Sequence, residues 1–158
     1  MTPTLVLVLA FLIGVVCGLR SLTAPAVVAW AAHRGWIDLG HTRLHFLGSL
    51  AAVAVFTVGA VVELIADKLP NAPARTAPVG LTARIVLGAL CGAALADSQT
   101  QSMTIGAILG AVGGIIGAFG GYQVRTRLVK ALKVPDFAIA LLEDALAIGA
   151  GFFLVTRF

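Results

Sequence analysis

Long apolar runs separated by short polar stretches make up most of this chain. A helix needs roughly 20 predominantly apolar residues to span a bilayer, and runs of about that length recur along the sequence. The pattern predicts an all-α integral membrane protein with about five transmembrane helices in a single domain, residues 1–158. The predicted spans cover residues 4–19, 46–69, 81–96, 103–128 and 137–155.

A polar interruption follows the first span. Arg20 and Ser21 are polar, Pro25 disfavours a continuous helix, and the apolar segment 24–32 that comes next is too short to cross a bilayer. We expect a broken helix, with 24–32 as a half-helix, a re-entrant segment or an interfacial helix. The alternative is one long span that is kinked at Pro25.

An amphipathic connector is predicted over residues 34–46. His41 and His45 lie four residues apart and could share a helix face as metal ligands. No cysteine or carboxylate completes such a set, so a solvated interfacial surface is the competing interpretation.

The amino-acid composition also indicates that most of the protein is surrounded by lipid. Hydrophobic residues make up 59% of the chain, charged residues 11%, and the mean hydropathy is +1.03. The net charge is +4, but the bases lie at the ends of apolar runs and form no basic stripe. We therefore expect membrane lipids as partners and no nucleic acid. No cofactor is predicted.

Glycines recur four residues apart in several spans. Gly106, Gly110 and Gly114 form one line on the fourth span, and Gly113 and Gly117 continue into a second one. Such small-residue lines let helix backbones approach closely, either within the chain or between protomers. We expect a homo-oligomer.

The distribution of basic residues predicts an orientation. With five alternating spans, the N-terminus shares a side with the loops after the second and fourth spans, which carry seven of the eleven bases. The positive-inside rule then predicts a multi-pass protein of the bacterial inner (cytoplasmic) membrane with a cytoplasmic N-terminus. Two short self-similarities are present. One pairs the first and fourth spans, which would run in opposite directions, and the other pairs the last two hairpins, which would run the same way.

Carboxylates within apolar helices are the strongest candidates for function. Glu63 and Asp67 share a face at the end of the second span, and Glu143 and Asp144 lie about two turns inside the fifth. Such groups are costly in a membrane and face a protein interior or a watery cavity, where they could carry a proton or hold a cation. The alternative is that they form ion pairs that only hold the helices together. Candidate ion- or substrate-binding residues are Glu63, Asp67, Glu143, Asp144, Arg20, Asn71, Arg75, Arg84 and Arg125.

Two function classes follow from these residues. The first is a small transporter or channel-like protein with an intramembrane carboxylate site. The second is a non-catalytic scaffold or accessory subunit whose charges are structural. No Walker loop, nucleophile elbow, HExxH or CxxC motif is present, so enzymatic activity, with a lipid as the substrate, is the least supported interpretation.

Several motifs together resemble a known bacterial membrane family. They are Gly18-Leu19-Arg20-Ser21 with Pro25, Glu63-Leu-Ile-Ala-Asp67-Lys68-Leu-Pro70, Arg84 before a Gly/Ala-rich helix, the basic end of the fourth span, and Leu142-Glu143-Asp144. The chain resembles the family catalogued as domain of unknown function 4126, with a departure at Arg20, where a small polar residue such as Asn is expected in many members. The resemblance implies a membrane protein and no specific substrate.

Overall fold

The computed structural model describes residues 1–68 and 76–158, and 79% of these residues are helical. Six α-helices and one short 3-10 helix, His45–Gly48, account for this structure. The α-helices are α1 Pro3–Leu19, α2 Thr23–His33, α3 Leu50–Ala66, α4 Pro78–Ser98, α5 Met103–Leu132 and α6 Asp136–Val155. Three of them, α4, α5 and α6, are long and apolar enough to cross a membrane, and α1 and α3 are shorter apolar helices.

Local sequence signals explain where the helices begin and end. The side chains of Thr2, Ser49 and Ser102 accept hydrogen bonds from backbone N–H groups in the first turns of α1, α3 and α5. Lys133 ends α5 in the left-handed conformation, with φ at 52°, two residues before Pro135. Pro78 occupies the first turn of α4, where a missing N–H costs nothing. The helix predicted over 81–96 therefore begins three residues earlier, at Pro78.

The predicted break after the first span is confirmed, and the short apolar segment that follows it forms α2. With 11 residues it rises about 16 Å, roughly half the hydrocarbon thickness of a bilayer. The connector after it is a series of turns ending in the short 3-10 helix, with Ile37, Leu39 and Leu47 buried. His41 and His45 therefore do not share a helix face.

Three helices, α1, α4 and α5, form the closely packed centre of the protein. Their glycines face one another, and a Cβ atom added at Gly110 would overlap the carbonyl oxygen of Gly88, while one added at Gly14 would overlap that of Gly110. The close approach of helices that the glycine lines predict thus occurs within the chain. These glycines therefore no longer support the predicted homo-oligomer, which stays a prediction.

The order of these glycine contacts gives the helix directions. Gly14 lies against Gly110 and Gly18 against Gly114, so α1 and α5 run parallel. This corrects the expectation that the first and fourth spans run in opposite directions. The assumed alternation of directions fails because the short helix α2 returns the chain to its starting end, so that α1 and α3 run the same way.

Contacts of α6 place both termini at the same end of the protein. Arg20 contacts Asp144, and Gly151 lies near Val16, so α1 and α6 are antiparallel. The start of α1 and the end of α6 are therefore both remote from Arg20. The ends of α1, α3 and α5 and the beginnings of α2, α4 and α6 all lie at the other end. Five alternating spans would put Arg20 on the side opposite to Lys68, Arg84 and Arg125. The structure corrects this, because all four bases lie at the same end.

Candidate functional site

Arg20 lies in the break between α1 and α2 and is completely buried. Its Nε donates a hydrogen bond to Oδ1 of Asp144 on α6 at 2.7 Å, and its Nη1 donates one to Oδ2 of Asp67 at the end of α3. Its Nη2 lies 4.0 Å from Oε2 of Glu143. A single guanidinium group at the end of α1 thus joins the end of α3 to the middle of α6, an arrangement that suits its planar set of donors.

Asp144 is shared between two bases. In addition to Arg20, its Oδ2 accepts a hydrogen bond from Nζ of Lys68 at 2.6 Å. Lys68 also donates to the backbone carbonyl of Leu64 at 2.7 Å, which holds the side chain along the end of α3. The Lys68–Asp144 pair therefore connects α3 to α6 above the beginning of α2.

Glu63 binds the N-terminus of α2. Its two carboxylate oxygens accept hydrogen bonds from the backbone N–H groups of Ser21 and Leu22, each at 2.8 Å, and from the hydroxyl of Ser21 at 2.6 Å. Helix N-termini favour negative charge because their N–H groups are unpaired and the helix dipole is positive there. Arg84 completes this part of the site, with Nη2 3.7 Å from Oε1 of Glu63 and Nε donating to the carbonyl of Gly18 at 3.1 Å.

Arg125 forms the outer part of the site, on α5. Its Nε donates to Oδ1 of Asp136 at 2.8 Å, and its Nη1 lies 3.5 Å from Oε2 of Glu143. Asp136 is 63% exposed, whereas the side chain of Glu143 is only 10% exposed. Two carboxylates of α6 thus share one base, but only Glu143 is buried with it.

Four bases and four largely buried carboxylates make up what we call the charge cluster. Its members are Arg20, Lys68, Arg84, Arg125, Glu63, Asp67, Glu143 and Asp144. Because the cluster holds four acids and four bases, its formal charges cancel. Across residues 1–68 and 76–158, no group of three or more His, Cys, Asp and Glu side chains could hold a metal ion.

Seven of the nine candidate residues chosen from the sequence meet in this cluster. The other two, Asn71 and Arg75, lie outside the described residues. Lys68 and Asp136 were not among the candidates, although Lys68 follows Asp67 directly and Asp136 opens α6. The backbone N–H groups of Ser21 and Leu22, which donate to Glu63, were also missed, because side-chain chemistry gives no sign of them.

Comparison with known families shows where the chain belongs. The family model described as "Domain of unknown function (DUF4126)" matches residues 7–156, and the chain is a member of that family. Comparisons with curated proteins and with solved structures find no significant match. Because the match covers nearly the whole chain, the cluster, α2 to α6 and most of α1 lie within the family's domain.

Proposed function

We propose that this membrane protein is a small transporter or channel-like protein in which the charge cluster takes up and releases a proton. The observation that carries the proposal is the position of Glu143. Its carboxylate lies between two guanidinium groups, 4.0 Å from Arg20 and 3.5 Å from Arg125. Ionised side chains inside membrane proteins are costly, and they commonly mark ion or proton pathways.

A proton suits the cluster better than a bound metal cation. Each carboxylate of the cluster already has a base or backbone N–H groups as partners, so a metal ion would have to displace several of them. A proton needs no coordination shell. Binding of a proton to Glu143 would neutralise the carboxylate, which would weaken its attraction to Arg125 and let the two side chains separate.

The broken helix supports the same proposal. Many transporters place their substrate or ion sites where a helix is interrupted, because the half-helix ends there supply partial charges. In this protein α1 ends at Leu19, α2 begins at Thr23, and Arg20 and Ser21 between them contact carboxylates of the cluster.

A scaffold or accessory role is the second candidate, and Glu63 favours it. Its carboxylate accepts three hydrogen bonds from Ser21 and Leu22, which is an arrangement that fixes the start of α2. In a scaffold the other ion pairs would likewise hold α1, α3 and α6 together. The two candidates differ in one expectation. If the protein moves protons, replacing Glu143 changes proton movement while the fold is intact, and if it is a scaffold, the replacement does not.

Proton flux into liposomes tests the proposal. Purified protein is reconstituted into vesicles that contain a pH-sensitive dye, and a pH gradient is imposed. Valinomycin with equal potassium on both sides lets potassium leave and so balances the charge of the entering protons. We expect wild-type protein to admit protons faster than protein-free vesicles do. Glu143→Gln should reduce the rate to that of the protein-free vesicles, because the neutral amide cannot bind the proton.

Asp136→Asn is the matched control, since Asp136 contacts the same Arg125 but is exposed. Its flux should equal that of the wild type. The proposal fails if wild-type vesicles are as tight as protein-free ones, or if Glu143→Gln retains its melting temperature and full flux. Parallel vesicles with sodium or potassium gradients show whether a cation other than the proton moves.

The proposal also includes an orientation in the bacterial cytoplasmic membrane. The cluster end carries seven bases of the described residues, and the opposite end carries three. The seven are Arg20, Lys68, Arg84, Arg125, Arg127, Lys130 and Lys133, and the three are Arg34, Arg43 and Arg157. Under the positive-inside rule, this distribution favours a cytoplasmic cluster end and both termini outside, which reverses the cytoplasmic N-terminus expected from the sequence.

Cysteine labelling checks this orientation in intact cells. In a background with Cys17→Ala and Cys91→Ala, a membrane-impermeant maleimide should label a cysteine introduced at Thr2 and should not label one introduced at Lys130. Labelling of Lys130→Cys without labelling of Thr2→Cys would reverse the orientation.

A further inference from the structure

An apolar cavity of about 420 Å³ separates α5 from α6 near the cluster end of the protein. Its walls are formed mainly by aliphatic side chains, which include Leu19, Val124, Leu128, Ile139, Leu142 and Leu146. Val124, Leu142 and Leu146 are each more than half exposed, so the cavity opens outward between the two helices. In a membrane this opening faces lipid.

The last turns of α5, which lead from the cavity to the α5–α6 turn, are basic. Arg125 lines the cavity itself, and the exposed residues Arg127, Lys130 and Lys133 follow it in the chain. Two carboxylates of α6, Glu143 in the cavity wall and Asp136 at the start of the helix, pair with Arg125. Four bases against two acids leave this region with a net positive charge.

We infer that the cavity binds an anionic phospholipid of the surrounding bilayer. An acyl chain occupies the apolar space between α5 and α6, and the phosphate lies at the basic turn. Arginine and lysine are the usual partners of phosphate, and basic residues beside a membrane helix attract anionic lipids. A free anion would gain nothing from the aliphatic walls, so the apolar and basic parts together favour a lipid. The inference does not depend on the proposed proton movement.

Native mass spectrometry of the delipidated protein tests this site with defined lipids. We expect phosphatidylglycerol to bind at least about tenfold more tightly than phosphatidylcholine with the same acyl chains, because only the former has a net negative charge. The double variant Lys130→Gln/Lys133→Gln should lose about tenfold in phosphatidylglycerol affinity. The double variant Arg34→Gln/Arg43→Gln, at the opposite end of the protein, removes the same two charges and should bind like the wild type.

The apolar part is tested by Leu142→Trp, which places a larger side chain in the cavity wall. Its control is Val86→Trp, which changes an exposed apolar residue of α4. Reduced phosphatidylglycerol binding in the first and not the second supports the inference. It is overturned if the two lipids bind equally, if neither the lysine variant nor Leu142→Trp affects binding, or if inorganic phosphate competes as well as the lipid does.

Discussion

Adding one methyl group at Gly110 is expected to destabilise the protein severely, whereas the same change at Gly120 in the same helix should not. A Cβ atom at Gly110 would lie 2.9 Å from the carbonyl carbon of Gly88 and 3.1 Å from Cα of Gly92. Both neighbours are backbone atoms of α4, so relief requires the two helices to move apart. Overpacking costs about 1–3 kcal/mol even where side chains can adjust, and we expect more than about 3 kcal/mol here.

Gly120→Ala is the control because no atom lies within 4 Å of its added Cβ. Alanine is a better helix former than glycine by about 0.8–1.0 kcal/mol, so this variant should be as stable as the wild type or more stable. The free energy of unfolding in detergent micelles is measured for Gly110→Ala and Gly120→Ala. Equal destabilisation by the two substitutions would contradict the close packing of α4 and α5.

Replacing Arg20 with methionine is the second change with a large expected effect. Methionine is of similar length and is apolar, but it leaves Asp67 and Asp144 without their shared base inside the protein. Removing one partner of a buried ion pair costs about 3–5 kcal/mol, because the remaining charge stays buried and uncompensated. We therefore expect Arg20→Met to lower the free energy of unfolding by about that amount.

Arg127→Met is the matched control for Arg20→Met. Arg127 is an exposed base of α5, and surface substitutions usually change stability by no more than about 0.5 kcal/mol. If both methionine variants have the same free energy of unfolding as the wild type, Arg20 does not hold the helices together.

Hydropathy was sufficient to predict the helices and the break after α1. Residues 4–19 and 137–155 were predicted as spans, and α1 and α6 match them within a residue at each end. These segments are recognisable because a membrane helix must present apolar side chains on nearly all sides. The half-helix was recognisable for the opposite reason, since 24–32 is apolar but too short to cross.

The direction of the helices could not be predicted in the same way. Whether a short apolar segment turns the chain back depends on what it packs against, and α2 is held by contacts that are distant in sequence. Glu63 binds its first N–H groups, and Trp30 donates a hydrogen bond to Thr57 at 3.0 Å. Because α2 reverses the chain, Arg20 lies with Arg125 and not with Arg34.

The choice of charged residues was predictable, but their pairing was not. A carboxylate in an apolar run is conspicuous, so Glu63 and Glu143 were identified from the sequence. The partner of each depends on the rotation and depth of four or more helices, which hydropathy does not determine. Lys68 therefore contacts Asp144 on α6, although Asp67 is its neighbour in the chain.

A double-mutant cycle between Arg20 and Asp144 tests most directly whether the charge cluster joins the helices as described. The free energy of unfolding is measured for the wild type, Arg20→Met, Asp144→Asn and the double variant in the same micelles. Residues in direct contact within an ion network show coupling of about 0.5–3 kcal/mol. We predict coupling near the upper end of that range, so that the double variant loses less than the two single variants combined. Additive losses would contradict a direct Arg20–Asp144 pair and with it the cluster.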